Sequence, residues 1–226
     1  MGDNVMTNGH NQFIAQLEEA VTAFPTLRIE YVNGREIIKG NLAIIDRDGK
    51  YWEDYGVEIH CSKDFPNEFP LLFETTGKIP KIADWHVYED TLACCVKVRP
   101  EEIIRCRAGI TVTEYIREEV LPYFFNQTHR RLEGYYVNGE YAHGVGGIYE
   151  YYSGILKTGG NIQHTIQLME YIAAHDRPDR TSMCFCGEKI KFRHCHRVAF
   201  DKLKSIGEIT LRTHAYEIAK AAGIRK

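Results

Sequence analysis

The sequence predicts an α+β fold, with an opening helix, an antiparallel meander of strands, an irregular loop and further helices, followed by a small metal-binding module. Three observations carry this. Residues 11–24 place Phe13, Ile14, Leu17, Val21 and Phe24 at helical spacing and stop at Pro25. Three β-rich runs then succeed one another, separated only by turn signals. Three cysteines and a histidine crowd between Cys184 and His196, at a spacing that suits a metal.

The strands are expected at 27–32 (LRIEYV), 36–45 (EIIKGNLAII) and 55–61 (YGVEIHC), with Asn33-Gly34 and Asp46-Arg47-Asp48-Gly49 as the turns. The run from Asp64 to Pro70 (DFPNEFP) then interrupts pairing, because each proline removes a backbone donor and fixes φ, and 71–77 (LLFETTG) is expected as a fourth strand. From Lys78 to Arg107 no period survives, yet Trp85, His86, Cys94 and Cys95 all fall in this stretch. A long non-periodic loop of that composition inside a compact domain marks the active region.

Helical spacing returns over 112–127 through Val112, Ile116, Val120, Tyr123 and Phe124, with Pro122 expected to bend the helix. Residues 134–152 are rich in Gly and Tyr and carry His143-Gly144. The tyrosines at 135, 136, 141, 149, 151 and 152 suit either a partner surface or packing. Another helix is expected at 161–174, and Arg177-Pro178-Asp179-Arg180 reads as a linker. The expected organisation is a main domain over 1–155, a helical connector over 156–180 and a metal-binding tail over 181–226.

Composition narrows the function classes. The 226 residues are 44% hydrophobic, enough for a full core, and 28 Lys and Arg against 31 Asp and Glu give a net charge of −3. That balance excludes a global pull toward nucleic acid or acidic lipid. Neither a membrane-length apolar run nor the pattern of a secretion signal is visible at MGDNVMTNGHNQ, so a cytoplasmic protein is expected. Seven cysteines, an odd number and partly clustered, argue against a disulfide framework.

Cys184-Phe185-Cys186-Gly187 is followed by Cys195-His196. Two thiolates on a tight turn and a Cys-His pair shortly after can converge on a tetrahedral Zn²⁺, which prefers sulfur and nitrogen ligands. His194 is a weaker rival to His196, and Lys189, Lys191, Arg193 and Arg197 give the surroundings a basic character. Over residues 183–197 the pattern resembles the SEC-C type of zinc motif, which implies a docking module with a structural zinc.

The succession of helix, meander, Phe-Pro segment, fourth strand, His-to-Cys loop and helix resembles the ubiquitin-conjugating enzyme fold, in particular bacterial relatives from antiphage (CBASS-type) conjugation operons. The resemblance spans roughly residues 10–155. It rests on Val57-Glu58-Ile59 leading into the Asp64–Pro70 turn, on Leu72-Phe73-Glu74-Thr75-Thr76 as the fourth strand, and on Trp85-His86 followed eight or nine residues later by a cysteine. It implies a transferase whose cysteine takes an acyl group as a thioester and hands it to an amine. It also implies partners: a ubiquitin-like protein or a cGAS-like nucleotidyltransferase whose C-terminus is conjugated and, since no Gly-rich nucleotide fold is visible in the 226 residues, either a separate activating enzyme or a short system in which the conjugating enzyme stands without one.

Cys94 and Cys95 compete for the nucleophile, because alternation turns them to opposite faces. Cys95 fits a hydrophobic-Cys-hydrophobic pattern and is favoured; Cys94 fits a count from Asp90. His86 stands where the family has the His of its His-Pro-Asn motif, but Val87 and Tyr88 replace the Pro and the Asn. The amide that supports the oxyanion or the loop is therefore missing. His143 is the candidate for a second polar group, with a turn role as its alternative. Two other classes fit the same residues: a non-catalytic adaptor with a degenerate conjugating fold, and a Cys-His hydrolase using Cys94 or Cys95 with His86 or His143.

Overall fold

Alternating apolar residues make the meander. In the computed structural model, which describes residues 8–137 and 139–224, β1 (Leu27–Val32), β2 (Arg35–Ile45), β3 (Tyr51–His60) and β4 (Leu71–Glu74) form one antiparallel sheet in the order β1-β2-β3-β4. The register pairs Leu27 with Gly40, Gly40 with Val57 and Ile59 with Leu72. Gly40 is needed as glycine, since a Cβ there would come within 2.2 Å of the Thr26 carbonyl oxygen. β3 begins at Tyr51, before the run read from the sequence, because Asp46 closes the hairpin by accepting from the Asp48 and Lys50 N–H groups at 3.0 Å each and from the Trp52 indole at 2.8 Å.

The inner face of the sheet buries Ile38, Tyr55, Val57, Ile59 and Leu72 against the helices, each burial stabilising by about 1.5–3 kcal/mol. The single helix expected over 11–24 is instead two, α1 (Asn8–Ile14) and α2 (Leu17–Ala23). Gln16, between them, turns its side-chain oxygen to accept from the Val112 N–H at 2.8 Å. Glu30, Lys39, Glu58 and His60 form a cross-strand ladder, with Lys39 Nζ 2.9 Å from Glu58.

A second departure is α3 (Arg99–Arg107), inside the stretch expected to be irregular. Its charges hide the helical period, while Pro100 in the first turn and the acidic pair Glu101 and Glu102 suit a helix start. After it, Thr111 and Glu114 form a capping box on α4 (Val112–Tyr115). A wide π-turn, Ile116–Val120, leads into α5 (Leu121–Glu133), with Pro122 in its first turn. Pro122 brings no N–H, and the widened turn accommodates the loss.

The chain divides into two compact units: one built from residues up to Lys97 and from Arg105–Glu140, the other from Val98–Ile104 and from Tyr141 onward. The elements up to α5 belong to the first, apart from the start of α3. The second contains α6 (Val145–Leu156), α7 (Ile162–Ala174), α8 (Arg197–Lys204) and α9 (Glu208–Ala221). Its core gathers Tyr151, Tyr152, Leu156, Met169, Ile172, Phe192, Phe200, Leu203 and Leu211. Residues 156–180 are thus no separate connector, because Ile166, Met169 and Ile172 of α7 are buried in the same core as Cys184. Asn161 caps α7 by accepting from the His164 N–H at 2.9 Å. Among the described residues, no helix is long and apolar enough to cross a membrane.

Candidate functional site

In the first unit, the loop that carries the cysteine pair is anchored where it leaves β4. The Glu74 side chain is fully enclosed, accepting from the Thr76 N–H at 2.7 Å and the Gly77 N–H at 3.1 Å, and pairing with Lys81 Nζ at 2.9 Å. Burial alone would raise its pKa; the bonds from Thr76 and Lys81 outweigh burial and hold the carboxyl below its usual range. Residues 74–81 are thereby folded around one carboxylate. On the far side of the pair, Lys97 Nζ lies 2.6 Å from the buried Glu119 carboxylate, which also accepts from Arg105 Nε at 2.9 Å.

Between these anchors the short turn Ala83–Trp85 ends at His86, whose backbone is left-handed at φ 50° and ψ 49°. Arg130 of α5 braces the turn, bonding the Asp84 carbonyl and carboxylate while its guanidinium lies 4.4 Å from the Trp85 ring centre and 4.8 Å from that of Tyr136. His86 Nε2 lies 3.2 Å from a Glu140 carboxylate oxygen.

Cys94 and Cys95 have different surroundings. Cys94 pairs with Val87 in an antiparallel bridge, donates its N–H to the Leu72 carbonyl at 2.7 Å and packs in the core at 6% exposure. Burial pushes its thiol up to about 11, with the Tyr123 hydroxyl lowering it in part. Cys95 is half-buried and outside that core. Its N–H donates to the His86 carbonyl at 2.7 Å, and its thiol contacts the Lys97 carbonyl at 4.0 Å. Val87 is a core residue, while Tyr88 is exposed.

His143 falls in the second unit, on the exposed segment just before α6. Tyr151 and Tyr152 are buried, and the Tyr152 hydroxyl lies 2.8 Å from His214 Nδ1. The residues that the sequence offered no sign of are Glu74, Glu119 and Gln127; Tyr123 could be read only as a core position of its helix.

The second unit also assembles Cys184, Cys186, Cys195 and His196, whose ligand atoms all lie within 4.8 Å of one another, so the cluster can hold a metal ion. The Cys186 and Cys195 sulfurs are 3.6 Å apart, and His196 Nδ1 lies 3.4 Å from the Cys184 sulfur and 3.1 Å from that of Cys195. Local backbone chemistry builds the turn: Cys184 N–H donates to the Ile190 carbonyl at 2.9 Å, Met183 bridges Lys191, and Gly187 adopts φ 88° just after Cys186. His196 Nε2 sits 2.8 Å from the Leu156 carbonyl, which assigns the proton to Nε2 and turns the Nδ1 lone pair toward the thiols. Burial first, and then the neighbouring Cys184 and Cys186 thiols, push the Cys195 thiol up to about 12. His194 is exposed and accepts from Arg193 Nε at 2.8 Å, outside the cluster.

No protein-family model, curated protein or solved structure matches the chain.

Proposed function

We propose that the first unit is a cysteine acyl transferase of the ubiquitin-conjugating type, with Cys95 as nucleophile, and that the second unit carries a structural zinc. The observation that carries the first part is the contrast within the pair: Cys94 is locked in the core, while Cys95 lies half-buried on a loop anchored at both ends. A thiol that must meet an acyl donor and then an amine needs exposure and a fixed position more than a strong base, because transfer between thiols is nearly isoenergetic. The helices and the four-stranded antiparallel meander in sequential order make an α+β unit, which is compatible with the resemblance. On this reading the donor is the C-terminus of a ubiquitin-like protein or of a nucleotidyltransferase, and the setting is antiphage defence in the cytoplasm.

Zinc is supported by the donor set. A tetrahedral ion with Zn–S bonds of about 2.3 Å and Zn–N bonds of about 2.0 Å spaces its ligands about 3.6–3.8 Å apart. Three of the donor separations, 3.1–3.6 Å, lie close to that spacing, and all four donor atoms lie within 4.8 Å of one another. With four protein ligands no coordination position remains for substrate, so the ion would supply folding energy.

A peptide thioester with mercaptoethanesulfonate as leaving group tests the transferase reading. Mass spectrometry should find a hydroxylamine-sensitive acyl group on the chain, absent from Cys95→Ala. The adaptor reading, favoured by the burial of Val87 where the family has its Pro, expects no acyl group under any condition. Hydrolysis of the thioester without an acyl-enzyme that an added amine can intercept would favour the hydrolase.

A further inference from the structure

Helix α5 reaches the loop beneath Cys95 with two polar side chains one turn apart. The Tyr123 hydroxyl donates to the His86 carbonyl at 3.1 Å, and the Gln127 amide donates to the Trp85 carbonyl at 3.0 Å. These carbonyls belong to consecutive residues, and the His86 carbonyl is the one that accepts the Cys95 N–H. Tyr123 is 6% exposed and Gln127 1%, so water cannot easily replace either donor. His86 also needs holding, because a left-handed backbone at a residue with a Cβ costs about 1–2 kcal/mol.

The geometry points to Tyr123 and Gln127 as positioning residues for the Cys95 thiol, a clamp that takes over the loop support for which Val87 and Tyr88 leave no Asn. The clamp itself is independent of the chemistry; its purpose rests on the transferase reading. In the step it would serve, the Cys95 sulfur attacks the thioester carbonyl and forms a new C–S bond. The old C–S bond breaks, and the thiol proton ends on the departing sulfur, with no net oxidation.

The test uses the full chain and the near-isosteric variants Tyr123→Phe and Gln127→Leu, singly and together, at temperatures where circular dichroism shows each to be folded. Iodoacetamide labelling across pH, with Cys94 and Cys95 distinguished by fragmentation, reads the loop directly. With the clamp removed, Cys94 should be labelled at least about fivefold faster, and the pH profile of Cys95 should move, because the loop opens locally. The peptide thioester reads the purpose: the maximal acylation rate should fall at least about fivefold, with the half-saturating concentration unchanged. A merely structural contribution would lower the melting midpoint and leave both profiles alone. Unchanged labelling at both cysteines in the double variant overturns the proposal, and Tyr123→Phe alone decides it if the double variant does not fold. If the unmodified chain takes no acyl group, the transferase reading fails while the labelling still judges the clamp.

Discussion

The N–H of Cys95 hangs on the carbonyl of His86 at 2.7 Å, so the position of one sulfur depends on a residue nine places earlier whose backbone is left-handed. The chain reverses between the two, and the adjacent Cys94 is drawn to the Leu72 carbonyl of β4. One cysteine is thereby placed in the core and its neighbour at the half-buried edge.

The loop depends on Glu74 before it depends on anything near Cys95. Glu74→Leu leaves the Thr76 and Gly77 N–H groups without their acceptor and the Lys81 ammonium with only the Glu74 backbone carbonyl, and should destabilise the first unit by about 3 kcal/mol. Urea unfolding at pH 7 checks this. Because the folded carboxyl titrates below its ordinary range, its stabilisation is complete above the usual carboxylate pKa and is lost as pH falls through the folded value. The variant should therefore be less acid-sensitive than the unmodified chain.

His214 gives the second unit an acid sensitivity of its own. Burial, followed by the Arg99 charge, lowers it from 6.5 to about 4, so the unfolded chain binds its proton first. Stability of this unit should be complete above about pH 6.5 and fall as pH drops toward 4, by roughly 3 kcal/mol in all. Thermal scans at pH 7, 5.5 and 4.5 measure the slope, and His214→Gln, which keeps a polar partner for Tyr152, should flatten it.

Metal removal should act on the second unit. His196 ties the cluster to Leu156 at the end of α6, so chelation or Cys184→Ser with Cys186→Ser should loosen the core of α6–α9 and not only the turn. Losing about 3 kcal/mol should lower its midpoint by about 12–24 °C. The first unit, with a core of its own, should keep its transition. A stoichiometric metal retained by the double variant would refute the ligand set.

The legible parts of the fold were those whose signal is local. The β runs announced themselves by alternation and by Asn33-Gly34, and the cysteine cluster by spacing alone. The charged α3 has almost no apolar period, and Gly146, Gly147 and Gly154 mask α6, whose helix is held by packing. Gln16 breaks the first helix for a partner 96 residues away, and Tyr123 and Gln127 reach carbonyls 37 and 42 residues away. No local pattern encodes such pairings, since each depends on the tertiary fold.

The most direct measurement is the site of acylation after exposure of the full chain to the peptide thioester, mapped by mass spectrometry in the unmodified chain, in Cys94→Ala and in Cys95→Ala. One hydroxylamine-sensitive acyl group is expected on Cys95, retained in Cys94→Ala and absent from Cys95→Ala. An acyl group on Cys94 with Cys95 untouched, or no acyl group on either, would contradict that expectation.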